Sequence, residues 1–246
     1  MMIIKLKKMI GPIIVSMAGA LCAASASHGE VAVFDRVTTV ETPVRIIVLT
    51  KSRFFAAGGR RVDISLDDEH LKRILTGGDG YGYLKYTPRS PGYKKIKARS
   101  DSDSAEGLLL VMTKSEKAIV IEIEEGFKDA VMSSEVKQSS LKAVKTLSQQ
   151  YKIIYVSLYT GKGIAGTWLE KQNFPKSVII KWQGAGTLAA LKKKGVQLHA
   201  AIGSKGMLAE AAKHVDKRFA FEKTKDGILV TDWDDILKKL QGQPDP

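Results

Sequence analysis

Cysteine is almost absent from this chain, since its 246 residues contain only Cys22. A single cysteine excludes a disulfide framework and a cysteine-rich metal site within the chain. Cys22 also lies in the N-terminal segment that we predict to be a cleaved leader, so we expect no cysteine nucleophile in the mature protein. Histidine is also scarce, and the four histidines show no paired metal-ligand spacing: His28, His70, His199 and His214. No Gly-x-Ser-x-Gly motif is present, so the sequence gives no support to a serine hydrolase.

The apolar run near the N-terminus, from Met9 to Leu21, is too short to cross a bilayer comfortably, because a membrane-spanning helix needs about 20 apolar residues. Three lysines and no acid precede this run, and Ala24-Ser25-Ala26 follows it. A basic start, a short apolar core and an A-x-A site are typical of a secretory signal peptide. We therefore predict a signal peptide over residues 1–26 and a periplasmic or cell-envelope protein. The alternative is an N-terminal membrane anchor.

The charge of the chain is strongly positive, with 39 basic and 26 acidic residues and a net charge of +13. Without the predicted leader, which carries three of the lysines, the net charge is +10. Such a surplus favours anionic partners: a phospholipid headgroup at a membrane surface, an envelope polyanion or a phosphorylated molecule. Because we expect export, we do not expect nucleic acid as the partner. The alternative is a lysine-rich surface that only contacts solvent.

Residues 31–116 have the pattern of an all-β sandwich. The segment Arg61–Leu66 alternates polar and apolar residues strictly, as a strand with one buried face does. Val44, Ile46 and Val48 share a second alternation. Glycine- and proline-rich turn signals recur at 57–59, 77–80 and 88–92, and short strands at this spacing indicate a sandwich.

The stretch from Thr42 to Arg99 resembles a bacterial Ig-like domain. Its most characteristic part is the turn Gly78-Asp79-Gly80-Tyr81, which is followed by TP and PG pairs and a final strand. Asp-Gly supplies the positive φ that a tight hairpin requires. The resemblance implies a fold but no activity, because such sandwiches serve as spacers, adhesion modules and docking surfaces.

Residues 117–240 instead alternate strands with helices. The predicted strands are 118–121, 152–156, 177–180, 197–202 and 219–221, and the predicted helices cover 139–149, a segment ending near 172, 184–194, a segment from 205 and a closing helix from 232. Repeated β-α units predict a parallel sheet with helices on both faces. We expect residues 241–246 to be a disordered tail.

Ligands bind such sheets beyond the carboxyl ends of the strands. That rule nominates four places: Glu122 to Gly126, Ser157 to Gly161, Lys181 and Gly203 to Gly206. Together these strand ends resemble a haloacid-dehalogenase (HAD)-type phosphatase domain of the lipin-like, phosphatidate-hydrolysing branch. The sequences AIVIEIEEG, IIYVSLYTG, WLEKQNFPKSVIIK and LHAAIGSKGMLAEAAKHV carry the resemblance, which covers residues 117–240.

The resemblance implies roles for four residues. Glu122 takes the place of the nucleophilic aspartate, and Glu124 that of the aspartate that acts as general acid and base. Ser157 and Lys181 match the residues that hold the phosphoryl oxygens. The loop after the fourth strand, where the family has acidic magnesium ligands, instead contains Lys205 and no carboxylate.

These departures leave several functions open. The first is a non-catalytic domain that binds an anionic ligand through Ser157, Lys181 and Lys205, without a metal or cofactor. The second is a magnesium-dependent phosphatase that uses Glu122, Glu124 and one of the acids at 232, 234 or 235. The third is a purely structural envelope protein whose α/β domain only docks a partner. A separate alternative is that Glu122, Glu124 and Glu125 are an ordinary solvated strand end, which leaves the predicted fold unchanged. The absence of the metal acids favours the first.

Overall fold

The computed structural model describes residues 30–52, 55–101, 103–127 and 138–241. The predicted signal peptide at 1–26 lies outside these residues. Gln241 closes the last helix, and the rest of the predicted tail, 242–246, also lies outside them. No helix of the described ranges combines the length and the apolar composition that crossing a membrane requires.

The first part of the chain is an all-β, Ig-like sandwich. A three-stranded antiparallel sheet has the order β1-β3-β6, and a five-stranded sheet has the order β2-β8-β7-β4-β5. The strands are β1 (Glu30–Val33), β2 (Arg36–Thr39), β3 (Val44–Lys51), β4 (Arg61–Leu66), β5 (Glu69–Leu75), β6 (Tyr81–Tyr86), β7 (Gly92–Ser100) and β8 (Asp103–Met112). Only β2 and β8 pair in parallel among them. The all-β prediction for this part is confirmed.

The second part is a six-stranded parallel sheet with the order β11-β10-β9-β12-β13-β14. Its strands are β9 (Lys117–Glu122), β10 (Lys152–Ser157), β11 (Val178–Lys181), β12 (Gln197–Ile202), β13 (Lys217–Ala220) and β14 (Ile228–Leu229). The helices are α1 (Ile123–Gly126), α2 (Gln138–Gln150), α3 (Lys162–Lys171), α4 (Ala185–Lys193), α5 (Lys205–Ala211) and α6 (Trp233–Gln241). The prediction of a parallel α/β sheet is confirmed.

Helices cover both faces of the parallel sheet. The first face packs on α2, α3 and α6, and an aromatic group anchors the short helix α1 there. In that group the rings of Phe127 and Trp233 stack at 5.5 Å, and the indole of Trp233 donates to the carbonyl of Gly126 at 3.0 Å. Since α1 directly follows β9, this packing fixes the backbone around Glu122 and Glu124.

The second face of the parallel sheet is covered partly by the sandwich. Leu110 and Met112 of β8 and Val37 of β2 belong to the same buried cluster as residues of α4 and α5. The alternate residues of β8, Leu109 and Val111, lie in the sandwich core. The end of β8 is therefore buried on both faces, and the sandwich and the parallel sheet share one hydrophobic cluster. The domain boundary at 116/117 stays a prediction.

Asp35, between β1 and β2, joins the two parts by a buried set of hydrogen bonds. Its Oδ1 accepts from the amide of Leu108 at 2.8 Å, and its Oδ2 accepts from the amide of Ile179 at 2.9 Å. Ile179 lies in β11, an edge strand of the parallel sheet, whose outward amides have no strand partner. The Nζ of Lys162 lies 2.6 Å from Oδ1 and also donates to the carbonyls of Val33 and Glu106.

We expect Asp35→Ala to lower the free energy of unfolding by about 2–4 kcal/mol, because it leaves the amides of Leu108 and Ile179 without their acceptor and removes the carboxylate from the partly buried Nζ of Lys162. Urea unfolding followed by circular dichroism measures this change. The matched control is Asp63→Ala, which removes an exposed pair with Arg73 and is expected to change little. Equal effects of the two substitutions would contradict the importance of burial at Asp35.

Candidate functional site

The strand ends of the parallel sheet bring the predicted site residues to one edge. Glu122 ends β9 opposite Val156, and Ser157 ends β10 opposite Lys181 of β11. The loop after β12 begins with Gly203. These strand ends therefore lie at one edge of the sheet, as the sequence predicts.

The carboxylate of Glu124 is held by the loop that follows β10. Its Oε1 accepts from the hydroxyl of Ser157 at 2.7 Å. The same oxygen accepts from three successive backbone amides, those of Leu158, Tyr159 and Thr160, each at 3.0 Å. Consecutive amides that converge on one point form an anion-binding nest. In this protein the anion in the nest is the chain's own carboxylate.

The hydrogen bonds of Glu124 determine its ionisation. Burial by itself would raise the pKa of Glu124, but the bonds from Thr160, Tyr159, Ser157 and Leu158 outweigh it and lower the pKa to about 2. The second oxygen, Oε2, is buried and has no hydrogen-bond partner among the described residues. Glu124 is therefore a permanently ionised group at neutral pH that serves the loop, and a general acid would have to be protonated there.

Glu122 is buried deeper, at 2% exposure. Its Oε2 accepts from the backbone amide and the hydroxyl of Ser204, at 2.8 and 2.7 Å. Ser204 is the N-cap of α5, so Glu122 holds the residue that starts this helix. Burial raises the pKa of Glu122 more than the bonds from Ser204 lower it, and the neighbouring carboxylates of Glu124 and Glu125 raise it further.

Gly203 is required by the close approach of Glu122. A Cβ atom at position 203 would lie 2.6 Å from Oε2 of Glu122 and 2.5 Å from the sulfur of Met207. No side chain fits there unless the carboxylate moves. The glycine that the sequence places after β12 therefore serves the packing of Glu122.

The three predicted ligand-binding residues, Ser157, Lys181 and Lys205, differ in their exposure and in what they contact. The hydroxyl of Ser157 is engaged by Glu124, and Lys181 is exposed at the end of β11. Lys205 is exposed as well and lies 3.7 Å from Glu222. A cavity of about 180 Å³ beside α5 is lined by Lys205 but also by two acids, Glu125 and Glu222. Its lining does not include Ser157 or Lys181.

The residues present do not fit a magnesium site. Within the described ranges, no three carboxylate, histidine or cysteine groups come together as metal ligands. The acids at the start of α6 serve that helix. Asp232 accepts from the amide of Asp235, and Asp235 pairs with Lys239 one turn later at 3.4 Å. We therefore derive no chemical step that involves a metal.

Comparison with known proteins finds similarity to solved structures in about one third of the chain. The CARDB domain of a Pyrococcus furiosus protein, determined with di-metal ions, is 18% identical and has a TM-score of 0.27 over 35% of this chain and 91% of that chain. The D0-D1 domain of intimin is 14% identical, with a TM-score of 0.27 over 35% and 46%. An IG27 protein domain is 12% identical, with a TM-score of 0.28 over 35% and 98%. No protein-family model and no curated protein match the chain.

The resemblance to a HAD-type, lipin-like phosphatase is wrong. The solved structures that the chain matches include CARDB, Ig-like and fibronectin-III-like domains, and no family model or curated protein supports that superfamily. The physical reason is that strand ends with acids, hydroxyls and lysines are common to parallel α/β sheets. Here the two acids that carried the resemblance bind donors of the protein itself.

Glu124→Gln tests the nest. The folded pKa of Glu124 lies below the ordinary value of 4.5, so its contribution to stability is present above that value and is lost as pH falls towards 2. We expect the substitution to lower the free energy of unfolding at pH 7 and to flatten its dependence on pH between about 5 and 2. Urea unfolding at a series of pH values measures both. An unchanged slope in this window would contradict the role of the nest.

We expect Glu122→Gln not to lower the free energy of unfolding, in contrast to Glu124→Gln. Because burial raises the folded pKa of Glu122, its ionised form is disfavoured in the folded protein, and stability rises as pH falls through the folded pKa. The amide keeps an oxygen for Ser204 and removes the buried charge. We therefore expect Glu122→Gln to leave unchanged or to raise the unfolding free energy at pH 7, in the same urea titration. A loss as large as that of Glu124→Gln would contradict this interpretation.

Proposed function

We propose that this protein is an exported, non-catalytic binding protein of the cell envelope that takes an anionic partner. The observation that carries the proposal is the state of the two carboxylates. A nucleophile or general acid and base must reach a substrate atom, whereas Glu124 is bound by four donors of its own chain and Glu122 is 2% exposed.

The charge of the chain supports an anionic partner. The net charge of +10 that remains without the predicted leader raises the local concentration of anions. At the carboxyl edge of the parallel sheet, Lys181 and Lys205 are exposed cations, but the hydroxyl of Ser157 is taken by Glu124. An anion at this edge would therefore bind to lysines at the surface and not to an enclosed phosphate pocket. A phospholipid headgroup, a phosphorylated molecule and an acidic polymer share this chemistry.

Export rests on the N-terminal sequence, which combines a basic start, a short apolar core and Ala24-Ser25-Ala26. When the full chain is produced in a bacterium with its N-terminal segment intact, we expect the periplasmic product to begin at Ser27. Intact-mass measurement of the fractionated protein tests this. A product that retains residues 1–26 in the membrane fraction would support the anchor instead.

The absence of catalysis is tested with phosphate monoesters, the substrates that acids at a strand end would suggest. We expect no hydrolysis of phosphatidic acid or of an aryl phosphate above the background of the Glu122→Gln variant, with or without magnesium. Phosphate release is the measurement. Turnover that depends on magnesium and is abolished by Glu122→Gln would overturn the proposal and make Glu122 the nucleophile.

A further inference from the structure

The outer face of the three-stranded sheet β1-β3-β6 is unusually apolar for a sandwich surface. An antiparallel sheet normally has one face on the core and a polar face towards water. In β3, Ile46 and Val48 are buried in the sandwich core, but Ile47 and Leu49, which point the other way, are apolar too and only partly buried. A contiguous apolar patch of this kind marks an interaction surface.

Three aromatic rings extend the patch. Phe34 and Tyr81 lie 6.1 Å apart between ring centroids with an angle of 22° between their planes, and Tyr81 and Tyr83 lie 6.3 Å apart with an angle of 11°. Tyr83 is 50% exposed. The nearly parallel rings follow from the spacing, because positions 81 and 83 share one face of β6. We call Phe34, Ile47, Leu49, Tyr81 and Tyr83 the aromatic face.

Two arginines lie over this aromatic face. The guanidinium of Arg45 is 5.3 Å from the ring centroid of Tyr83, and that of Arg36 is 5.9 Å from the centroid of Phe34. The Nε of Arg36 is buried and has no hydrogen-bond partner among the described residues. Burial lowers the pKa of Arg36; the charge of Asp35 opposes this and that of Arg45 adds to it. An external anion at this face would bind the terminal nitrogens of a guanidinium, because the buried Nε offers no surface to a ligand.

We propose that the aromatic face, with Arg36 and Arg45, binds an acidic polysaccharide. The apolar C–H faces of sugar rings pack on aromatic rings, and sugar carboxylates fit the planar fork of a guanidinium. The inference rests on the proposed function for the sign of the partner's charge. It concerns a surface of the sandwich and does not involve the strand-end acids of the parallel sheet.

Two other occupants fit the aromatic face less well. A second copy related by a two-fold axis would bring the same patch against itself, so that Arg36 and Arg45 would meet arginines of equal charge. A lipid bilayer would take up protruding apolar side chains, whereas Ile47 and Leu49 stand only partly exposed on a sheet. The most exposed aromatic side chain described, Tyr159 at 86%, lies on the parallel sheet instead.

The test is affinity electrophoresis of the full chain in gels that contain polygalacturonate or the same polymer with its carboxylates methyl-esterified. We expect the charged polymer to retard the protein and the esterified polymer to retard it much less. Tyr83→Ala and Arg45→Gln should each weaken the retardation about tenfold. The matched controls are Tyr159→Ala and Arg99→Gln, a tyrosine and an arginine elsewhere on the surface, which should bind as the unchanged protein does.

Each outcome of this experiment either supports or overturns the inference. Equal retardation of the aromatic-face variants and the controls would overturn the inference and leave the proposed function standing, with the anion bound elsewhere. If no anionic probe is bound, neither polygalacturonate nor phosphatidylglycerol vesicles, both would fail. Binding to the vesicles alone would also overturn the inference. Unchanged urea unfolding of both variants shows that a loss of binding is not a loss of fold, and Arg45→Gln serves if Tyr83→Ala unfolds.

Discussion

The buried contact of Asp35 with Lys162 and Ile179 is the constraint on which the arrangement of the whole chain depends. Asp35 comes from the link between two strands of the sandwich, while Lys162 begins a helix and Ile179 belongs to an edge strand of the parallel sheet. The carboxylate of Asp35 thus accepts from an amide at the edge strand β11 of the parallel sheet. It also neutralises the charge of Lys162 at the start of α3. Such a contact is favourable only when each donor and acceptor is satisfied, and here Lys162 has two carbonyls besides the carboxylate.

Internal hydrogen bonds also occupy the two acids at the carboxyl edge of the parallel sheet. Ser157 and the amides after it form a nest of the kind that binds an oxyanion, but Glu124 fills it. Glu122 in turn holds Ser204 and requires Gly203 beside it. Although Oε2 of Glu124 has no hydrogen-bond partner among the described residues, the donors of the nest all bind Oε1. A substrate would have to displace the side chain of Glu124 to use them.

Much of this fold could be predicted from the sequence because its periodicities are regular. The strands at 61–66 and 197–202 have the predicted bounds, and the predicted helix at 139–149 extends by one residue at each end. What periodicity could not supply was the partner of each polar group. From the sequence alone, Asp35 is indistinguishable from any acid in a turn, and Glu124 is indistinguishable from any acid at a strand end. Their roles depend on donors 33 to 144 positions away in the chain, and no local pattern encodes such distances.

Two strands of the sandwich show how one sequence signal can have two structural causes. Both β3 and β8 contain runs in which consecutive residues are apolar, as strands covered on both faces do. For β8 the cause is visible, since Leu110 and Met112 pack against the parallel sheet while Leu109 and Val111 face the sandwich core. For β3 the core side is the same, but Ile47 and Leu49 face outwards beside Tyr83 and Arg45. On the proposal made above, the outer face of β3 is covered by a bound polysaccharide, whereas the corresponding face of β8 is covered by the parallel sheet.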